Sequence, residues 1–79
     1  MSRVAYVNGQ FIAHRHAGVS IDDRGYQFAD GVYEVFEIKN YQIIDLDGHL
    51  NRLDYSLSEL EISPPMARNA LIIKLKQIV

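Results

Sequence analysis

A tyrosine stands where a polar, glycine-marked turn runs into a strand. The segment Asp30-Gly31-Val32-Tyr33-Glu34 supplies both the turn and the first residues of the strand. Junctions of this kind often present a side chain to a cleft, which makes Tyr33 a candidate for binding a ligand. The spacing leaves a second interpretation open, in which Tyr33 is simply an aromatic residue of a half-buried strand.

Arg52 is the second residue whose type and position could do chemistry. It falls in the first turns of an apolar helix, at the flank of a leucine stripe, where we expect it to be partly exposed. A guanidinium close to the free backbone N–H groups of a helix start suits a phosphate. The alternative is an ordinary surface arginine whose aliphatic stem lies on the core.

Other residues that could do chemistry lack the partners that the chemistry needs. His14 and His16 have no third metal ligand nearby. The segment Asp45-Leu46-Asp47-Gly48 begins like a calcium loop, but the acidic residues that such a loop needs do not follow it. His49 has no nucleophile beside it and is predicted to be structural, and the chain contains no cysteine. We therefore expect no metal site and no catalytic residue within the chain.

Composition narrows the class of protein. The chain has 79 residues, 48% of them apolar, which is enough for one small domain. Its formal charge of −2 comes from interspersed acids and bases, so nucleic acid and anionic membranes are poor partners. No apolar run resembles a signal peptide or approaches the roughly 20 residues that span a bilayer. These features predict a soluble, cytoplasmic protein, and the lack of cysteine fits a reducing compartment.

The first half of the chain predicts two hairpins that would position Tyr33. Residues 4–7 and 10–13 flank Asn8-Gly9, a pair suited to a type I′ turn. Residues 14–20 are expected to form a loop and residues 21–31 an irregular segment. Residues 32–39 and 41–45 would form a second hairpin, whose turn would hold Tyr41 at an unfavourable positive φ. Alternation in its first strand predicts two faces. One face would carry Val32, Glu34, Phe36 and Ile38, and the other Tyr33, Val35 and Glu37.

In the second half of the chain the apolar residues recur with a helical period, which predicts a helix that would position Arg52. An apolar stripe with steps of four and three residues comprises Leu46, Leu50, Leu53, Leu57 and Leu60. Asp47 is the predicted N-cap, and Pro64-Pro65 prevents the helix from continuing past Ser63. Ser63 would cap a second helix that holds the prolines in its first turn. Its apolar side would comprise Ala67, Leu71, Leu75 and Ile78, with Met66, Ala70 and Ile73 beside them. The fold predicted is α+β, with a small antiparallel sheet built from hairpins followed by two packed helices.

Two motifs, together with the opening hairpin at residues 6–11, carry a resemblance to a known family. The first is Asp22-Asp23-Arg24-Gly25-Tyr26-Gln27-Phe28-Ala29-Asp30-Gly31-Val32-Tyr33-Glu34-Val35, and the second is Leu46-Asp47-Gly48-His49-Leu50-Asn51-Arg52-Leu53. At this separation they resemble the N-terminal small domain of the class IV (fold type IV) pyridoxal-phosphate aminotransferases. This family includes D-amino acid aminotransferase, branched-chain aminotransferase and aminodeoxychorismate lyase. The residues of the first motif are most similar to those of the D-amino acid aminotransferases. Branched-chain aminotransferase and aminodeoxychorismate lyase remain alternatives.

The resemblance implies roles for three residues. Tyr33 matches the tyrosine that contacts the substrate carboxylate, Val35 matches a pocket-wall position, and Arg52 matches the arginine that binds the phosphate of pyridoxal 5′-phosphate. The implied reaction moves an amino group from a D-amino acid to a 2-oxo acid, in an enzyme that works as a homodimer. Tyr41 departs from the family, whose members often have glycine in that turn.

The resemblance also implies a second domain, which carries the Schiff-base lysine and an acid paired with the pyridine nitrogen. Neither position matches a residue in this chain, whose lysines are Lys39, Lys74 and Lys76. We therefore expect residues 1–79 to be an incomplete N-terminal small domain whose lysine-bearing partner domain is absent. The second helix reaches Val79 without a stop signal, which fits that expectation. The alternative is a catalytically inactive remnant of a truncated or split gene.

Overall fold

The computed structural model describes residues 3–79, which begin with a tight hairpin. Strand β1 (Val4–Val7) pairs antiparallel with strand β2 (Gln10–Ala13), so that Tyr6 lies opposite Phe11. The turn residues Asn8 and Gly9 have φ angles of 51° and 85°. Two consecutive positive φ angles define the type I′ turn, whose twist matches that of the strands. The hairpin predicted from Asn8-Gly9 is confirmed, and a single 3-10 turn at His14–His16 follows it.

Residues predicted to be irregular contain a short helix, α1 (Arg24–Phe28). Its start is capped by Asp23, whose side chain accepts a hydrogen bond from the Gly25 backbone N at 2.8 Å. A Cβ at Gly25 would lie 2.9 Å from that same carboxylate oxygen, so the glycine leaves room for the cap. The prediction was wrong here because glycine disfavours helices on average, whereas at this position it permits the capping interaction.

The second hairpin is shorter than predicted. Strand β3 (Ile38–Lys39) pairs with strand β4 (Gln42–Ile43) in a two-stranded sheet separate from the first. The turn between them holds Asn40 at φ 52° and Tyr41 at φ 61°, so the tyrosine does adopt the unfavourable conformation. The α+β order of hairpins followed by two helices is confirmed, although the hairpins form two sheets and not one.

Residues 32–37 lie outside both sheets but keep the alternation of a strand. Three of them are half-buried, namely Val32, Glu34 and Phe36, and three are exposed, namely Tyr33, Val35 and Glu37. The predicted faces are therefore confirmed for these six residues, while Ile38 is exposed instead of sharing the inner face. Within the described part of the chain no strand pairs with this segment, and its one backbone hydrogen bond is donated by Ile44 N to the Glu37 carbonyl at 2.9 Å. Side chains must therefore hold residues 32–36 in place.

The leucine stripe forms the helix that faces this segment, α2 (Leu46–Glu59). Asp45, and not Asp47, precedes its first residue, with φ 54° and no side-chain cap hydrogen bond. Leu50 and Leu57 are the only residues within 3–79 that are buried. Leu60 lies beyond the helix end and is exposed. The core is therefore small and is centred on one face of α2.

The last helix, α3 (Arg68–Ile78), begins four residues later than predicted, because Pro64 and Pro65 lie in the linker. Ser63 does not cap it; its start is tied to α2 by Arg68. That guanidinium donates to Asn51 Oδ1 at 2.9 Å and to the Asp47 carbonyl at 3.2 Å.

The packed side of α3 also differs in part from the prediction. Leu71 and Leu75 are half-buried, whereas Ile73 and Ile78 are exposed. Lys74 extends over the first hairpin, with Nζ 5.8 Å from the Tyr6 ring centroid and 5.5 Å from that of Phe11. None of the helices within residues 3–79 has the length and apolar character needed to cross a membrane.

The first hairpin turn provides a test of the fold. We expect Gly9→Ala to lower the free energy of unfolding by about 1 kcal/mol, because alanine resists a positive φ. A Cβ there would meet nothing within 4 Å, so conformational strain is the only cost. Gly18→Ala is the matched control, since a Cβ there also meets nothing within 4 Å and its φ is not positive. Equilibrium urea unfolding measures both, and equal effects of the two substitutions would contradict the turn assignment.

Candidate functional site

Tyr33, Val35 and Arg52 line one shallow cavity of about 290 Å³, together with Glu34 and Ser56. The strand-like segment supplies the first side of the cavity. Helix α2 supplies the other side through Arg52 and Ser56, which lie one turn apart on the same helix face. Tyr33 is 85% exposed and Val35 70% exposed, so both side chains are accessible at the cavity. The structure therefore brings together all three residues that the sequence singled out.

Glu34 connects the two sides of the cavity. Because side chains alternate along an extended segment, Glu34 points inward between its exposed neighbours, and its side chain is only 7% exposed. Its Oε1 accepts a hydrogen bond from Arg52 Nε at 2.7 Å, and its Oε2 accepts one from Arg52 Nη2 at 2.8 Å. This paired geometry is the strong form of an arginine–carboxylate contact, and it fixes the plane of the guanidinium.

His49 completes a cluster with these two residues. Its Nδ1 lies 2.8 Å from Glu34 Oε2 and 3.2 Å from Arg52 Nη2. An ionised carboxylate only accepts hydrogen bonds, so the shorter contact assigns the proton to Nδ1, which donates to Glu34. The imidazole also packs against Phe36, with ring centroids 4.8 Å apart. His49 thus anchors the carboxylate that holds Arg52, and its purely structural role stays a prediction.

The cluster keeps Glu34 ionised. Hydrogen bonds from Arg52 and then from His49 lower the pKa of Glu34 from 4.5 to about 2, against the opposing effect of burial. The hydrogen bond to Glu34 in turn raises the pKa of Arg52, and the charge of Glu34 adds to this effect. Both side chains therefore carry their charge at neutral pH.

The guanidinium keeps unused donors on its other edge. Arginine has five N–H groups, and Glu34 engages only Nε and one N–H of Nη2. Within residues 3–79 no group accepts a hydrogen bond from Arg52 Nη1, and none pairs with the Ser56 hydroxyl. The cavity thus combines N–H and O–H donors with the accessible phenol of Tyr33. Such a set of donors can bind an anion such as a phosphate or a carboxylate.

A larger cavity of about 670 Å³ lies between α2 and the linker that precedes α3. Its lining is mainly apolar, and its charged residues, Asp54 and Arg68, approach each other to 3.4 Å. None of the three residues singled out by the sequence lines it. The smaller cavity is the better candidate site because Arg52 and Ser56, which line it, have polar groups that no other residue of 3–79 engages.

Sequence reasoning did not identify Glu34 as part of the site. It placed this carboxylate on the same face as Val32 and Phe36, and a charge on an apolar face requires a partner. That requirement was the available signal, but the partner could not be named, because Arg52 is 18 residues away in the chain.

The cluster provides a pH-dependent test. The pKa of Glu34 is lower in the folded protein than its ordinary value, so the ion pair stabilises the fold above pH 4.5. That stability is lost as the pH falls from 4.5 to about 2. We expect Glu34→Gln to be less stable than the parent at pH 7, with a difference that shrinks through this window. Thermal unfolding across pH measures it, with exposed Glu37→Gln as the control, and a pH-independent difference would contradict the ion pair.

Comparison with known proteins identifies relatives that match up to about nine-tenths of the chain. The chain is 42% identical over 72 residues to D-alanine aminotransferase from Bacillus licheniformis, a match that covers 91% of this chain and 25% of that enzyme. It is 36% identical over 73 residues to the enzyme of the same name from Listeria monocytogenes serotype 4b, with 92% and 25% covered. The match to the Staphylococcus haemolyticus enzyme is 37% over 57 residues, covering 72% and 20%.

The chain spans about a quarter of the length of the first two of these relatives. No family model matches it, and no solved structure matches it. The relatives carry one name, and two of the three matches cover more than nine-tenths of the chain. By sequence, then, the chain is similar over most of its length to about a quarter of the length of these D-alanine aminotransferases.

Proposed function

We propose that this chain supplies the substrate-binding and phosphate-binding side chains of a pyridoxal-phosphate-dependent aminotransferase. The complete enzyme moves the amino group of a D-amino acid to a 2-oxo acid. The observation that carries the proposal is the shared cavity of Tyr33, Val35 and Arg52, whose roles the family resemblance names independently of their geometry. Similarity to D-alanine aminotransferases supports the reaction class.

The residues at the cavity fit a phosphate group. Arg52 retains its Nη1 donors while Glu34 occupies the opposite edge of the guanidinium. A phosphate oxygen accepts charge-assisted hydrogen bonds from such an edge more strongly than from a neutral donor. Ser56, one helical turn from Arg52, provides a hydroxyl at the same cavity. Arg52 therefore holds the cofactor phosphate in this proposal.

Tyr33 and Val35 serve the substrate. The two side chains lie on the same side of the strand-like segment, because they are two residues apart. The Tyr33 phenol donates a hydrogen bond to the substrate carboxylate, and Val35 forms an apolar wall beside it. Fixing the carboxylate on one side and the side chain on the other determines which face of Cα is presented for reaction.

Bound pyridoxal phosphate supplies the electron sink for the reaction. The lysine that carries it comes from a second domain in this proposal, since none of the three lysines in this chain lines the cavity. Lys74 lies over the rings of Tyr6 and Phe11, and Lys76 lines a different cavity. The complete enzyme works as a homodimer in the cytoplasm, with its active site near the subunit boundary, as the family resemblance implies.

The phosphate role predicts a loss of cofactor. In the full-length protein we expect Arg52→Ala to weaken pyridoxal-phosphate binding by about tenfold or more, because charge-assisted hydrogen bonds are lost. Absorbance of the protein after dialysis measures the cofactor retained. Arg15→Ala is the control, since Arg15 is an exposed arginine outside the cavity. Full cofactor content in Arg52→Ala would remove this residue from the phosphate site.

The carboxylate role predicts a kinetic change without loss of cofactor. We expect Tyr33→Phe to reduce kcat/KM for a D-amino acid by about tenfold, since one hydrogen bond to a charged group is lost. Steady-state kinetics measure the change, and absorbance checks that the cofactor content is unaltered. Tyr41→Phe is the control, because Tyr41 is 89% exposed and lies outside the cavity. Kinetics equal to those of the parent would exclude Tyr33 from the substrate site.

A further inference from the structure

We propose that Glu34 is a positioning residue, which holds one edge of the Arg52 guanidinium so that the other edge is aimed at the bound phosphate. The inference rests on the proposed role of Arg52 as the phosphate ligand. It assigns no contact between Glu34 and the ligand itself. Glu34 acts only through the orientation that it imposes on Arg52.

The geometry gives Arg52 a reason to need such a partner. Its side chain is 63% exposed, and an exposed arginine samples many rotamers whose restriction opposes ligand binding. Two hydrogen bonds, at 2.7 and 2.8 Å, tie the guanidinium to Glu34. The Arg52 side chain therefore loses most of its conformational entropy when the protein folds, and little more when the ligand binds.

Glu34 is itself held firmly enough to serve as this anchor. Its side chain is 7% exposed, and its Oε2 also lies 2.8 Å from His49 Nδ1. His49 is fixed in turn by its position on α2 and by its contact with the Phe36 ring. The anchor is thus connected both to the helix and to the segment that carries Tyr33.

Glu34 has two opposing effects on phosphate binding, so whether its removal weakens or strengthens binding is informative. The negative charge of Glu34 partly cancels the positive charge of Arg52, and by charge alone it should weaken the attraction for an anion. The cavity is open to solvent, which screens that repulsion, whereas the orientation of the guanidinium is not screened. Positioning therefore outweighs repulsion, and removal of Glu34 should weaken binding of the phosphate group.

The test measures pyridoxal-phosphate binding to the full-length apoprotein by equilibrium dialysis. We expect Glu34→Ala and Glu34→Asp to raise Kd by about tenfold, because neither side chain can reach both guanidinium nitrogens. Glu34→Gln keeps the length and one acceptor, so its effect should be smaller. Glu37→Ala is the matched control, since this neighbouring glutamate is exposed and outside the cavity. Unchanged or tighter binding by folded Glu34→Ala or Glu34→Asp would overturn the inference.

A double-mutant cycle separates positioning from a merely structural role. Since Glu34 acts through Arg52, adding Glu34→Ala to Arg52→Ala should produce little further loss of binding. Additive losses would overturn the inference while leaving the role of Arg52 intact. Unchanged binding by Arg52→Ala alone would instead overturn the proposed function. If Glu34→Ala does not fold, Glu34→Gln decides the outcome, measured at a temperature well below its Tm so that the protein is folded: weaker binding supports positioning, and unchanged or tighter binding refutes it.

Discussion

The pairing of an inward-pointing carboxylate with a helix arginine is the interaction on which the candidate site depends. A carboxylate removed from water is costly unless it is paired and hydrogen-bonded, so Glu34 must find donors when its segment packs against α2. Arg52 and His49, three residues apart on the same helix face, provide them. The carboxylate thereby sets how the strand-like segment lies against the helix.

This polar contact matters more because the other restraints are weak. Residues 32–37 pair with no β-strand within the described part of the chain. Among all residues of 3–79, only Leu50 and Leu57 are buried. Backbone pairing and apolar packing therefore restrain the segment less than they would in a larger sheet. Holding Glu34 inward leaves its two neighbours in alternation, Tyr33 and Val35, on the accessible side. One constraint thus both orients the guanidinium proposed to bind the phosphate and exposes the residues proposed to bind the substrate.

Local chemistry in the sequence predicted much of this fold. Asn8-Gly9 specifies its turn because two positive φ angles select such residues, and the leucine stripe specifies α2 because its period is helical. The failures involve competing local effects. Helix α1 was missed because a cap overrides the average penalty of Gly25, and the start of α3 depends on Arg68 contacting α2.

The site was predictable only in part. The motifs singled out Tyr33, Val35 and Arg52 through a family resemblance, and the alternation of residues 32–37 predicted that the first two would share a face. The contact of Glu34 with His49 and Arg52 joins segments 15 and 18 residues apart. Nothing in the local pattern specifies how those segments approach, so the pairing required the structure.

A crystal structure of the full-length protein with bound pyridoxal phosphate is the most direct test of the central claim. The account predicts that a phosphate oxygen accepts a hydrogen bond from Arg52 Nη1 while Nε and Nη2 remain on Glu34. A phosphate held entirely by other residues, with the Arg52 guanidinium turned away from it, would contradict the account.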